Sequence, residues 1–237
     1  MEMFSRTEML IGDKGLDILK NSHVAVFGVG GVGGFVVEAL VRSGVGKIDV
    51  FDNDTVSVSN INRQIIATTA TVGKLKVDAI KERALLINPQ VRINAHNCFY
   101  MPSNSSQFDF SVYDYIVDAI DTVTGKIEII LKAQEAGKPV ISSMGTGNKL
   151  EASMLEVSDI YKTSVCPLAR VMRQEMKKRG VKKLKVVYSK EQPIQPLKKA
   201  NYTDSEIRKA VPGSISFVPA TAGLIIAGEV IKDLIKA

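Results

Sequence analysis

Cysteine is scarce in this chain. Cys98 and Cys166 stand far apart and outside any CxxC spacing, which argues against a disulfide scaffold and against a four-cysteine zinc site. A reducing, cytoplasmic setting is the expectation. The opening MEMFSRTEML has no basic segment followed by an apolar one, so no secretory signal is expected. A membrane-spanning run is missing too. The most apolar stretch, FVPATAGLIIAGEVI, carries Glu229 and is too short to cross a bilayer, so it reads as a buried core helix. No repeat or low-complexity linker divides the chain, and one extended domain over 1–237 is expected rather than two. The two histidines, His23 and His96, are isolated from each other in strand-like runs and read as packed core or surface residues.

Hydrophobic residues make up 45% of the 237 positions, enough for a substantial core. Apolar, β-branched runs at HVAVFGV, KIDVFD, QVRINAHN, YDYIVDAI and PVISSM alternate with helical periodicity over 31–43, 73–88 and 124–136. Alternation of this kind predicts an α/β fold with a Rossmann-like, doubly wound, mainly parallel sheet. After Met144 the pattern changes: LEVSDI and KLKVVYS read as strands with the helix PLARVMRQEMKKRG between them, and a final helix covers roughly 217–236. The expected organisation is a nucleotide-binding core at 1–145, followed by substrate-facing and dimer-packing elements at 146–237.

Between the first two strands lies GVGGVGG, in which Gly28, Gly30 and Gly33 satisfy the dinucleotide fingerprint. Such a loop lets backbone approach a phosphate and offers amide N–H groups at a helix start. Asp52 stands where a ribose-binding acid belongs. Taken alone, the fingerprint fits NAD and ATP equally.

Beyond Asp54 the sequence DNDTVSVSNINRQIIATTATVGKLK carries Asn60, Arg63, Gln64 and Lys76. Arg63 can clamp phosphate oxygens with two parallel donors, and Lys76 can supply a point charge. A triphosphate uses such a cluster better than a dinucleotide does. The net charge of +6 leans towards an anionic partner, and the basic surplus is concentrated between Arg170 and Lys199. Arg170, Arg173, Lys177, Lys178 and Arg179 are expected on a helix whose basic face Lys182, Lys183 and Lys185 continue. A solvated lysine-rich surface is the plain alternative.

The ordered run GVGGVG, DNDTVSVSNINRQ, TVGKLK, INP and VDAIDT resembles the adenylating domain shared by ubiquitin-activating enzymes, the molybdopterin-synthase adenylyltransferase and the thiamine-pathway adenylyltransferase. Members bind ATP with Mg²⁺, add a carboxylate to its α-phosphate and release pyrophosphate. The resemblance implies Gly31 as the close-approach glycine, Asp52 on the ribose, Asn60 and Arg63 on the phosphates, Lys76 on the triphosphate and Asp121 on magnesium. Asp118, three residues before Asp121, reads as structural. Arg6 matches an arginine that reaches the neighbouring subunit's nucleotide, which implies a homodimer.

The segments LEVSDIYKTSVCPLARVMRQEMKKRGV, VVYSKEQP and GSISFVPATAGLIIAGEVI are similar to one branch of that family, which acts on tRNA. Its members activate the free carboxylate of the threonylcarbamoyl group on adenosine 37, and ring closure then expels AMP. Lys162 and Arg170 are the expected contacts near the reacting centre, with Arg173, Lys177, Lys178 and Arg179 on the tRNA. The competing expectation is adenylation of the C-terminal glycine of a ubiquitin-like sulfur-carrier protein. Zinc cysteines would accompany that activity, and they are missing. Val186 and Val187 stand where some members keep a cysteine linked to sulfur traffic, so a sulfur-transfer partner is doubtful. Cys166, just before a proline at a helix start, reads as a packing residue with a nucleophile as the alternative.

Overall fold

The run His23–Phe27 is buried at every position, as a central strand covered on both faces requires. It forms β1 in the computed structural model, which describes residues 3–198 and 212–236. Lys199, the end of the basic segment, lies outside the described residues. The other strands are β2 (Lys47–Asp52), β3 (Arg92–Asn97), β4 (Tyr115–Asp118), β5 (Val140–Ser143), β6 (Leu155–Asp159) and β7 (Lys185–Ser189). They build one sheet in the order β3-β2-β1-β4-β5-β7-β6. Every pairing is parallel except that of β6 with β7. The expected doubly wound sheet is therefore present, and its strand order reverses between β1 and β4. Ligands of open α/β sheets collect at the carboxyl ends of the strands flanking such a reversal.

Six helices of eight residues or more cover the sheet among the described residues: α1 (Ser5–Asn21), α2 (Gly33–Arg42), α3 (Lys76–Ile87), α4 (Val123–Glu135), α5 (Pro167–Lys178) and α6 (Phe217–Leu234). Residues of α2, α3 and α6 share one apolar core with the central strands. Those of α4 and α5 pack the opposite face in a second core around Ile130, Met172, Met176 and Val186. The apolar stretch within 217–231 is thus a core helix, and no described helix is long and apolar enough to cross a membrane.

The sequence pattern did not reveal α1, because Gly12 breaks its helical repeat with a φ of 70°. Sequence reasoning also kept His23 and His96 apart. Adjacent strands bring both to one acceptor: His23 Nε2 meets Asp49 Oδ1 at 2.8 Å and His96 Nε2 meets Asp49 Oδ2 at 3.3 Å. Asn94 Nδ2 and the Tyr113 hydroxyl donate to the same carboxylate at 2.7 and 3.2 Å. Burial opposes the charged form of Asp49, but the hydrogen bonds from His23 and Asn94 and the charge of His23 outweigh it and hold this carboxyl below its ordinary range.

Candidate active site

The glycine loop joins β1 to α2 at the strand-order reversal. Gly28 has a φ of 84°, and a Cβ there would stand 2.8 Å from the Ala119 carbonyl oxygen. At Gly33 a Cβ would fall 1.7 Å from the Gly28 carbonyl oxygen. These two glycines let β1 turn directly into α2 beside β4. Gly30 faces open space apart from Gln64 Nε2, 3.7 Å from its notional Cβ. Gly31 lies against Pro219 of α6 and the Arg63 side chain, 3.3 and 3.6 Å from its notional Cβ. It is thus a packing contact between the loop, α6 and Arg63.

Asp52 ends β2 and folds over this loop. Its Oδ2 accepts from the Val29 N–H at 2.9 Å, and its Oδ1 accepts from the Asp54 N–H at 2.9 Å. Burial pushes this carboxyl up, with the nearby Lys76 charge acting in the opposite direction. Its carboxylate therefore has a reason to take further donors, such as ribose hydroxyls.

The segment from Asp54 to Lys76 loops out and returns to its starting point. Thr55 bridges Leu75 in antiparallel fashion, and the Lys76 N–H donates to the Asp54 carbonyl at 2.9 Å. Lys76, at the start of α3, thereby reaches the end of β2, where its Nζ donates to Asp54 Oδ2 at 2.6 Å. A short 3-10 turn at Val58–Asn60 sets the middle of the excursion: Asn60 Oδ1 accepts from the Ser57 N–H at 3.1 Å. The Asn60 oxygen is thus engaged by the turn, while its amide nitrogen has no bond among the described residues. Arg63 is half-buried and donates through Nη1 to the Ser59 carbonyl and Asn62 Oδ1, at 2.9 and 3.0 Å.

Sequence reasoning placed Asp121 at a strand end. The strand β4 stops at Asp118, and Asp121 is an exposed residue of the following turn, just before the N-cap Thr122 of α4. Its one side-chain contact among the described residues is the Thr122 hydroxyl at 3.5 Å. Asp118 is fully buried and pairs with Lys126 at 2.9 Å, which agrees with its structural reading. The carboxyl edge of β1, β2 and β4 therefore gathers the glycine loop, Asp52, Lys76, Arg63, Asn60 and Asp121.

Two buried oxygens near this edge, Gln64 Oε1 and Asp118 Oδ1, have no hydrogen-bond partner among the described residues. A polar ligand or its water shell can satisfy such atoms. Exposed and buried carboxylates beside the amides of residues 30–33, for which the described residues supply no acceptor, also make up the oxygen-rich chemistry that Mg²⁺ takes together with phosphates. The residues present fit MgATP.

Arg6 lies elsewhere. Phe4 packs beside Gly44, past the far end of α2, so the exposed Arg6 sits towards the amino edge of the sheet, away from the glycine loop of its own chain.

The basic residues of α5 differ in how they are held. Arg173 is not a free surface cation: its Nη1 donates to the Thr163 carbonyl at 2.7 Å and to Thr163 Oγ1 at 2.6 Å. The apolar face through Ala169, Met172 and Met176 is buried, and this turns Arg173 inwards along the rim. Lys178 and Arg179 both pair with Glu175, at 2.7 and 2.6 Å, as i,i+3 and i,i+4 spacing allows. Lys185 does not continue the face either, since it joins β7 to α6 through Asp233 and Glu229 at 2.6 and 3.1 Å. Lys162, Arg170 and Lys177 are exposed, with no ion pair among the described residues.

Cys166 is the N-cap of α5 and is 2% exposed, in keeping with a packing role. Burial, followed by the charge of Asp52, raises the thiol of Cys98. Sequence reasoning overlooked two buried lysines at the carboxyl edge. Lys126, in the first turns of α4, follows Asp121 by five residues, and Lys149 donates to the Glu191 carbonyl at 2.6 Å. Lysines inside helical or loop patterns read as surface residues, and no local signal marks them as buried.

Comparison with known proteins extends the likeness along the whole chain. The ThiF family model matches residues 4–237. The tRNA threonylcarbamoyladenosine dehydratase of Bacillus subtilis is 44% identical over 243 residues, covering 100% of this chain and 96% of that protein. The Escherichia coli protein of the same name is 32% identical over 250 residues, covering 98% and 93%. The solved structure of the E. coli tRNA N6-threonylcarbamoyladenosine dehydratase in complex with ATP superimposes with a TM-score of 0.89, covering 98% of this chain and 93% of that one. Since the match includes both the glycine-loop half and the strands and helices after β5, the chain belongs to the ThiF family.

Proposed function

We propose that this chain adenylates the threonylcarbamoyl carboxylate on adenosine 37 of tRNA with ATP and then closes the ring, releasing AMP and pyrophosphate. One observation carries this reading. A glycine loop with cations and carboxylates beside it stands at the strand-order reversal of a chain that is similar, end to end, to an enzyme solved with ATP.

Each residue has a distinct task. The loop amides from Gly30 to Gly33 at the start of α2 receive phosphate, with Gly30 offering the open approach and Gly31 keeping Arg63 close. Asp52 accepts the ribose hydroxyls. Arg63 and the free amide of Asn60 bind phosphate oxygens, and Lys76 moves from Asp54 to the triphosphate. Asp121 would hold Mg²⁺, which would neutralise charge on the phosphates. A carboxylate oxygen of the substrate attacks the α-phosphorus, and the bond to the leaving pyrophosphate breaks as negative charge builds beside Arg63 and Lys76. A nucleophile within the modification then attacks the activated carbonyl, and AMP departs with the former carboxylate oxygen. No enzyme thioester is required, because the nucleophile is tethered beside the acyl adenylate.

The strands and helices of 146–237 form the substrate-facing part, with Lys162, Arg170 and Lys177 as the tRNA contacts. Arg173, Lys178 and Arg179 support them from within the helix and its rim. Arg6 serves the nucleotide of a second copy, so the active form is a homodimer, and the setting is the cytoplasm. The test is mass analysis of tRNA nucleosides after incubation with MgATP and threonylcarbamoylated tRNA. A nucleoside lighter by one water, formed with stoichiometric AMP, is expected. AMP formation that needs a glycine-terminated protein instead of tRNA would overturn the reading.

A further inference from the structure

Lys126 has no exposed surface, and neither does its partner Asp118. A buried ammonium group needs an acceptor for each of its protons. Lys126 Nζ finds three: Asp118 Oδ2 at 2.9 Å, the Ser143 carbonyl at 2.8 Å and the Ile120 carbonyl at 3.1 Å. Asp118 Oδ2 also accepts from the Ser142 hydroxyl at 2.5 Å. A single nitrogen thus joins the end of β4, the end of β5 and the turn that carries Asp121.

The Ile120 carbonyl distinguishes this arrangement from an ordinary buried ion pair. Charge neutralisation needs Asp118 alone, whereas the bond to Ile120 fixes the peptide leading into Asp121. Packing holds the same residue from two sides. The notional Cβ of Gly28 lies 3.0 Å from Ile120 Cγ2, and that of Gly125 lies 2.7 Å from Ile120 Cδ1. Ile120 is wedged between the glycine loop and the first turn of α4. Among the described residues the exposed Asp121 carboxylate has no side-chain support beyond Thr122 at 3.5 Å, so the backbone before it decides where it points.

We propose that Lys126 is a positioning residue for the metal-side carboxylate: from its buried seat it sets the 119–122 turn so that Asp121 faces the phosphates across the glycine loop. The inference rests on the adenylation reading, in which Asp121 holds the magnesium ion. Groups one step removed from a metal characteristically act by orienting its ligand.

The test uses the full chain with Lys126→Met and Asp118→Asn combined, so that no unpaired charge is left buried. Manganese serves as the probe, followed by its electron paramagnetic resonance signal as it binds the protein–ATP complex. The expected result is a loss of about tenfold or more in manganese affinity, with metal-free ATP affinity held within about threefold. The magnesium concentration giving half-maximal AMP formation rises in parallel, and Lys126→Arg alone restores most of the manganese affinity. Should the double variant not fold, Lys126→Leu combined with Asp118→Asn, which likewise leaves no buried charge unpaired, is measured in the same way. A folded variant with unchanged manganese affinity, or with equal losses for manganese and metal-free ATP, overturns the inference. If the wild-type protein binds ATP and manganese but forms no AMP with threonylcarbamoylated tRNA, the adenylation reading fails by itself, and the manganese titration still decides the role of Lys126.

Discussion

Lys76 and Asp54 form an unequal ion pair: their charged atoms are 2.6 Å apart, yet the lysine side chain is 7% exposed and the aspartate 59%. The buried cation is held by a partner that water can also satisfy. Exchanging Asp54 for a phosphate oxygen therefore leaves no buried charge unpaired. Lys76→Met is expected to lower AMP formation by about 100-fold or more, as loss of a preorganised charge at a reacting centre does. Asp54→Asn should have a far smaller effect. Single-turnover AMP release distinguishes the two variants, and equal losses would show that the pair, rather than the lysine, is what catalysis needs.

Asp121→Ala should abolish magnesium-dependent AMP formation while leaving the fold intact. The side chain is exposed, and surface changes of this kind shift stability by roughly 0.5 kcal/mol or less. Thermal unfolding compared with AMP formation checks both halves. A folded variant with full activity would remove Asp121 from the mechanism.

The basic residues should divide into two groups. Replacing Lys162, Arg170 and Lys177 together by Gln is expected to weaken tRNA binding and to flatten its logarithmic salt dependence by about 2–3, since each lost phosphate contact releases fewer counterions. Arg173→Gln should instead lower thermal stability by about 1–3 kcal/mol, because the buried Thr163 carbonyl loses its charged donor. Filter binding at several salt concentrations reads the first outcome and thermal unfolding the second. An unaltered slope in the triple variant would exclude this surface as the tRNA platform.

The Asp49 cluster sets an acid limit on stability. The folded carboxyl titrates below its unfolded value of about 3.9, so its stabilising contribution is complete above that value and is lost as pH falls through the folded pKa. Asp49→Asn should reduce stability at neutral pH and make unfolding below about pH 4 less dependent on acid. Denaturant titrations across this range provide the measurement. Parallel pH profiles for wild type and variant would show that other carboxylates govern acid unfolding.

Local pattern determined much of this protein. Strand and helix periodicity predicted the parallel sheet, the GVGGVGG loop marked the tight turn from β1 into α2, and the order of Asp52, Asn60, Arg63, Lys76 and Asp121 carried the adenylating resemblance. These signals are legible because each depends on near neighbours: alternation within a strand, glycine at a tight turn, an acid at a strand end. Other features depend on which surfaces meet after the chain has folded. Tertiary packing made Asp49 the shared acceptor of two histidines 73 residues apart in the chain, directed Arg173 to Thr163, drew Lys185 to α6 and closed Lys126 away from solvent. A cation has the same identity in sequence whether it contacts water, a carbonyl or a carboxylate. The fold decides which of these it meets, because burial removes water as an alternative and leaves only the partners that neighbouring elements supply.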